Sequence, residues 1–456
     1  MSGPLTQTMR VPSRYSALVH KNFGKQQIPN WSRVAILSML SCLLIPRGVE
    51  LQLGTIMIDI PRILLTLFSL MAMSQLLSGR VILRLTFADL FMSVHVGIIA
   101  FSAVYHEGFG EGLESAIAVL VDMGMAYFVA RVVVHNLACY RYYVRIVLII
   151  AAISAVFGLI EMFTGFSPLK ATYHTFFSKV EGIYLLTEKR HGLYRAAAAF
   201  RVSLLFGLYC AIAFTVAVYV KHNELNMGKW VRRICLTFCV LGVFASLSSG
   251  PWLALMLCLF CLVYDRITGN IRNKWKILLL TCGLGLLFLT IASNRGPVKL
   301  IINYLTLDPG NGYIRLAMWE CVWTLMRDYW PLGWGWFGDW PRSVDWYIWL
   351  SADSFYAVYL IRSGIFAVLS IVGFMFYCWY KISYFSGQKY ISINEAKGWI
   401  IGTVCLFITA LTVDIFGNLI FATYFLLGAG QTLFTVPEST LRYDGLPRTI
   451  GVARHL

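Results

Sequence analysis

The run VSLLFGLYCAIAFTVAVYV, residues 202–220, decides the fold class. It is charge-free over nineteen residues, and a helix needs roughly twenty apolar residues to cross a hydrocarbon core. Ile277–Asn294 and Ile415–Val436 are charge-free over comparable lengths. No strand-like alternation appears. Backbone groups in lipid must be paired within their own segment, so helices are the expected structure. Composition agrees, because the 456 residues are 58% hydrophobic and 13% charged, whereas a soluble domain is about half apolar and a quarter charged. The expectation is an all-α polytopic membrane protein.

Working outward from residue 202, twelve apolar stretches emerge, near 32–46, 57–77, 87–105, 113–133, 143–163, 202–220, 234–248, 251–265, 275–293, 354–380, 396–413 and 415–434. They divide the chain into a tail 1–31, spans one to nine over 32–293, a large loop 294–353, spans ten to twelve over 354–434, and a tail 435–456. Charge tests this count. Arg10, Arg14, Lys21 and Lys25 precede the first span and Arg33 lies at its start, and Arg80, Arg84, Arg131, Arg141 and Arg145 fall in or at the edges of alternate connections. Lys229, Arg232, Arg233, Arg266, Lys274, Lys276, Lys381 and Lys397 continue the series, while Glu107, Glu111 and Glu114 fall on the other side. Basic residues collect on the cytoplasmic side of membrane proteins, so both termini are expected there. The same bias accounts for the net charge of +16 without nucleic acid. The first thirty residues are polar and lack an apolar core segment, so no cleaved signal peptide is expected.

The eleven cysteines mostly lie in apolar runs. Cys258 and Cys261 form a C-x-x-C without a second ligand pair and read as small core residues. No histidine pair has metal-ligand spacing, and no phosphate-binding glycine loop, Asp-x-Asp or G-x-S-x-G is present. Neither metal nor cofactor is expected.

Two connections on the expected outer side run against the charge bias. One, 164–201, holds Arg195 and Arg201; the other, 294–353, holds Arg315 and Arg327. Long loops are less bound by the orientation rule. These cations therefore serve either lipid headgroups or a phosphate-bearing substrate, which the planar guanidinium fork suits. Residues 313–327 can form an amphipathic helix along the membrane surface, with Trp319, Trp323, Trp330 and Trp334 on or after it. Such aromatics anchor a protein at the interface or stack on sugar rings. Arg315 and Trp319 share a helix face, whereas Arg327 lies roughly 120° round. Pro331-Leu332-Gly333-Trp334-Gly335 should end the helix in a tight turn. Asp353 opens the next span, either as a helix cap or as a general base. Arg362 lies deeper and needs a partner, with Asp414 and Glu161 as candidates.

In these residues the chain resembles the bacterial O-antigen ligase and polysaccharide polymerase superfamily of membrane glycosyltransferases. The resemblance covers about 190–380. It rests on Arg195 to Phe200 before a span, Ser246 to Gly250 between two helices, Arg315 and Trp319 followed by Pro331–Phe337, and Asp353 with Gly364-Ile365. It implies a GT-C-like fold with a large periplasmic loop, and an inverting, metal-independent transfer from an undecaprenyl-diphosphate-linked glycan. Arg195 and Arg315 would hold the diphosphate, Asp353 would act on the acceptor, and Arg201, Trp319, Arg327 and Trp334 would contact substrate. Ligases commonly carry histidine at the position of Asp353, and many members carry arginine at that of Ser249. The chain is therefore more similar to a polymerase of the bacterial inner membrane, with a chain-length regulator as a candidate partner. The alternatives are a ligase that loads lipid A core and a transporter of lipid-linked oligosaccharide.

Overall fold

The computed structural model describes residues 27–292, 309–336, 353–387 and 393–435, apart from 47, 54, 55, 178, 181, 185–188, 191, 270 and 272. Both tails beyond these limits lie outside the described residues, as do Phe337, Trp340 and the remainder of the large loop.

The chain is mostly helical. The helices are α1 (Asn30–Ser41), α2 (Ile60–Leu77), α3 (Phe87–Glu107), α4 (Leu113–Val119), α5 (Ala126–Val133), α6 (Leu137–Thr164), α7 (Pro168–His174) and α8 (Ser203–Val218). They continue as α9 (Lys229–Ala245), α10 (Ser249–Ile267), α11 (Lys274–Ala292), α12 (Pro309–Tyr329), α13 (Phe355–Ser363), α14 (Ile365–Gly387), α15 (Ile393–Thr409) and α16 (Asn418–Gly430). Among the described residues, six helical stretches are long and apolar enough to cross a membrane: α2, the stack Phe87–Val133, α6, α10, α11 and Ile365–Ser386. The protein is membrane-embedded.

The run at 202–220 becomes α8, only sixteen residues long. Its side chains are buried on every side, because α6, α9, α10 and α15 pack around it. A helix that is apolar all round belongs in a protein interior. α11 is the converse, with no part of its apolar length buried. It is tied at one end, where Lys274 pairs with Asp265 at 2.6 Å and Tyr264 donates to the Lys274 carbonyl at 2.6 Å.

Three features differ from the sequence reading. Short antiparallel pairs, β1 (Glu50–Leu53) with β2 (Ile56–Asp59) and β3 (Lys189–Arg190) with β4 (Leu193–Tyr194), occupy connections read as irregular or as helix. The second span begins at Ile60 rather than 57, since Pro61 is preorganised for a first helical turn. The tenth is broken at Gly364, whose φ of +81° leaves the helix.

That break interlocks with the turn after α12. Trp334 and Gly335 donate their amides to the Ile361 and Arg362 carbonyls at 2.6 and 3.1 Å, and Ile365 donates to Trp330 at 2.9 Å. Ser102 on α3 donates to the Leu332 and Arg362 carbonyls at 2.7 and 3.0 Å. The last carbonyls of α13, which have no partner in their own helix, are thus satisfied by another segment. Gly333 and Gly364 approach so closely that a Cβ on either would strike backbone of the other segment.

At the opposite end of the bundle, basic residues are consumed in ion pairs. Arg131 meets Asp89 at 2.8 Å, Arg141 meets Glu395 at 2.7 Å, and Lys397 meets Asp265 at 2.8 Å.

Candidate functional site

The connection between α15 and α16, residues 410–417, is the point on which the separate candidate segments bear. Helix α15 ends at Thr409, and Gly417, at φ +58°, starts α16. Four other segments meet this turn.

The first is the N-terminus of α13. The Phe355 amide donates to the Ala410 and Val413 carbonyls at 3.1 and 3.0 Å, and the Ser354 hydroxyl donates to Ala410 at 3.1 Å. Ser354 is also the helix cap, accepting from the Ala357 amide. The capping role left open for Asp353 therefore falls to its neighbour. Asp353 is exposed beside the turn, close enough to Asp414 to raise that carboxyl's proton affinity. Burial is the larger cause, and together they push Asp414 up to about 7. Asp414 entered the sequence reading only as a partner for Arg362; no local motif marks it.

The second segment is α12. Its apolar stripe Met318, Val322, Leu325 and Met326 packs on Ala357 and Ile361 of α13, at the spacing of one helix face. Trp319 then donates its indole N–H to the Leu411 carbonyl at 3.2 Å. Arg315, half-buried, lies one turn before Trp319. Arg327 is exposed eight residues beyond Trp319, roughly 12 Å along the axis, so it is not gathered with the others. Trp334 packs edge-on against Tyr329, with ring centres 4.6 Å apart, at the Gly364 break.

The third is the junction of α9 and α10. Gly250 at the start of α10 lies against Val413 and Thr409, with no space for a Cβ. The adjoining Ser248 accepts from Arg195 at 3.5 Å, and Leu247 accepts from Arg190 at 3.3 Å. Arg195 begins a buried stretch, Ala196–Phe200, whose conformation is set by Glu161 near the end of α6. One Glu161 oxygen accepts the Ala197 and Ala198 amides at 2.8 and 2.9 Å, and the other accepts the Ser167 hydroxyl at 2.5 Å. Ala198 sits at φ +50°, unfavourable for a residue with a Cβ. The buried carboxylate offsets that cost through charge-assisted hydrogen bonds. Glu161 is therefore not the partner of Arg362, which donates to the Gly335 carbonyl at 3.0 Å.

The fourth is the start of α8, where the Arg201 guanidinium lies 5.7 Å from the centre of the Phe416 ring. Arg201, Trp319 and Asp353 thus border one eight-residue turn, with Arg315 on the helix that Trp319 ties to it and Arg195 one segment removed, held to Ser248 beside the Gly250 contact. Cations, an aromatic ring and two carboxylates, one of which titrates near neutrality, suit a phosphate-bearing substrate and a proton transfer. Among the described residues no group of three or more histidine, cysteine, aspartate or glutamate side chains is arranged to hold a metal ion. Compared with known protein families and with curated proteins, the chain finds no match.

Proposed function

We propose that the protein is a polysaccharide polymerase of a bacterial inner membrane, a GT-C-like enzyme with twelve crossings and cytoplasmic termini. The 410–417 turn would then face the periplasm. The undecaprenyl diphosphate of the growing glycan is held by Arg195 and Arg315, whose guanidinium forks match phosphate oxygens in bidentate fashion. A hydroxyl of the lipid-linked acceptor repeat unit attacks the anomeric carbon. The bond from that carbon to the diphosphate oxygen breaks, and the hydroxyl proton passes to Asp353 with Asp414 beside it. Undecaprenyl diphosphate leaves with the bonding electrons, stabilised by the two cations. The donor is already activated by its leaving group, so the reaction requires neither nucleotide nor metal.

The observation that carries this reading is that two segments reach one turn: the α9–α10 junction, which Arg195 contacts at Ser248 and which packs on Val413 at Gly250, and the helix of Arg315, tied to Leu411 by Trp319. The resemblance of these same motifs to O-antigen polymerases and ligases supports it.

The test is the polysaccharide made by cells carrying Arg195→Ala or Arg315→Ala. High-molecular-weight product is expected to fall at least about a hundredfold, the scale for losing a charge-stabilising donor, with protein level unchanged. Arg315→Lys should also be impaired, since a point charge lacks the fork. Normal chain lengths in both alanine variants would overturn the clamp.

A further inference from the structure

Beside the 410–417 turn lies a cavity of about 340 Å³, walled by Glu50, Asp59, Arg62, Asp122, Arg201 and Phe416. Its size sets it apart from packing defects, since the apolar gap beneath Phe355 and Tyr424 amounts to about 10 Å³. Ligand sites commonly begin near 300 Å³.

We propose that this cavity is a sugar-binding subsite, taking a neutral pyranose of the glycan through its hydroxyl groups. The proposal rests on the glycan-transferase reading given above.

Each sugar hydroxyl both donates and accepts, so its binding site needs acceptors and donors on facing walls. Glu50, Asp59 and Asp122 supply carboxylate acceptors, and Arg62 and Arg201 supply guanidinium donors. Arg62 grips Asp122 through two parallel hydrogen bonds of 3.0 and 2.8 Å. Such a fork fixes both side chains before any ligand arrives, and a guanidinium has further N–H groups to offer. Both residues stay partly open, at 34% and 24% exposure, so the pair is not sealed inside the core. Phe416 adds a flat apolar face of the kind that stacks on a sugar's C–H groups.

Charge argues against two other occupants. Three carboxylates and two guanidiniums line the cavity, a formal balance of −3 + 2 = −1, which disfavours a diphosphate. The carboxylates are not grouped as metal ligands, and Arg62 already neutralises Asp122. Position favours a glycan. Phe416, Gly417 and Asn418 form part of the cavity wall, and Phe416 lies two residues beyond Asp414 in the 410–417 turn. A sugar in the cavity would therefore border the turn that carries Asp414.

The experiment uses the full-length protein in lipid nanodiscs and saturation-transfer NMR. The probes are free galactose, N-acetylglucosamine and glucuronate, with inorganic pyrophosphate followed separately by its phosphorus signal. At least one neutral sugar should bind, and its signal should fall severalfold in Glu50→Gln and in Phe416→Leu. Glu50→Gln keeps the shape of the replaced side chain and Phe416→Leu stays apolar while removing the flat ring, and unchanged thermal unfolding would verify that both fold. Pyrophosphate binding should be lost in Arg195→Ala and Arg315→Ala but kept in Glu50→Gln. No neutral-sugar signal, a signal indifferent to both cavity variants, or preferential binding of glucuronate would overturn the subsite. Pyrophosphate binding indifferent to Arg195 and Arg315 would overturn the clamp while leaving the subsite standing.

Discussion

Trp319 reaches the backbone carbonyl of Leu411, ninety-two positions later in the chain, with its indole N–H at 3.2 Å. This bond ties the helix bearing Arg315 to the turn bearing Asp414. It also separates two uses of a tryptophan, since anchoring needs the N–H whereas sugar stacking needs only the ring.

Trp319→Phe keeps a ring and removes the donor. The loss should be about 1 kcal/mol of docking, with polymer yield falling about fivefold and protein level unchanged. Full activity in Trp319→Phe together with inactivity in Trp319→Ala would assign the residue to stacking instead.

Asp414, raised to about 7 by burial and then by Asp353, should show in the pH dependence. Polymerisation measured in membranes should increase as pH rises through about 7, and Asp414→Asn should remove that limb. Stability has the opposite sign. The folded protein keeps a proton that the unfolded chain releases near pH 4, so this group's contribution is complete below about 4 and lost as pH rises to about 7. Thermal unfolding at pH 5 and pH 8 should differ less in Asp414→Asn than in the parent. An activity limb that persists in Asp414→Asn would overturn this assignment.

Glu161 holds the Ala197 and Ala198 amides. Glu161→Ala should leave three buried donors unmet, the two amides and the Ser167 hydroxyl, and cost about 3 kcal/mol. Because that loop follows Arg195, activity should fall with it. Glu161→Gln keeps an acceptor oxygen and should be milder on both thermal unfolding and polymer yield. Equal stability of all three proteins would show that the loop does not depend on this carboxylate.

Gly364→Ala should be severe, because a Cβ there meets the Pro331 and Leu332 backbone and φ is +81°. About 2–4 kcal/mol is expected, the range of large backbone and packing conflicts, read as a lowered unfolding temperature. Gly79→Ala, also at positive φ but with open space around it, is the control that isolates the steric part.

Much of this architecture was legible in the sequence. Charge-free runs located the helices, the proline after Trp330 marked where α12 stops, and Gly333 and Gly335 marked the turn. Helix ends were less legible. α8 is shorter than its apolar run, because protein packing rather than lipid depth makes that run apolar. The break at Gly364 was also missed, since a lone glycine in an apolar stretch looks the same whether the helix continues or another segment enters there. Of the site, the arginines were visible as cations against the charge bias. Asp414 was not, because its importance comes from the segments that arrive at 410–417 from elsewhere in the chain. Glu161 entered only as a candidate partner for Arg362, but its partners are two backbone amides and the Ser167 hydroxyl, which no charge pattern betrays.

The docking of the Gly333 turn onto the Gly364 break has an evolutionary consequence. Each glycine, thirty-one residues from the other, faces backbone of the opposite segment too closely for a methyl group, so neither can be replaced without moving that segment. Descendants of this chain should keep both glycines for as long as they keep this docking. Paired inheritance at these sites would mark, in any distant cousin, the same docking of the aromatic loop onto a broken helix.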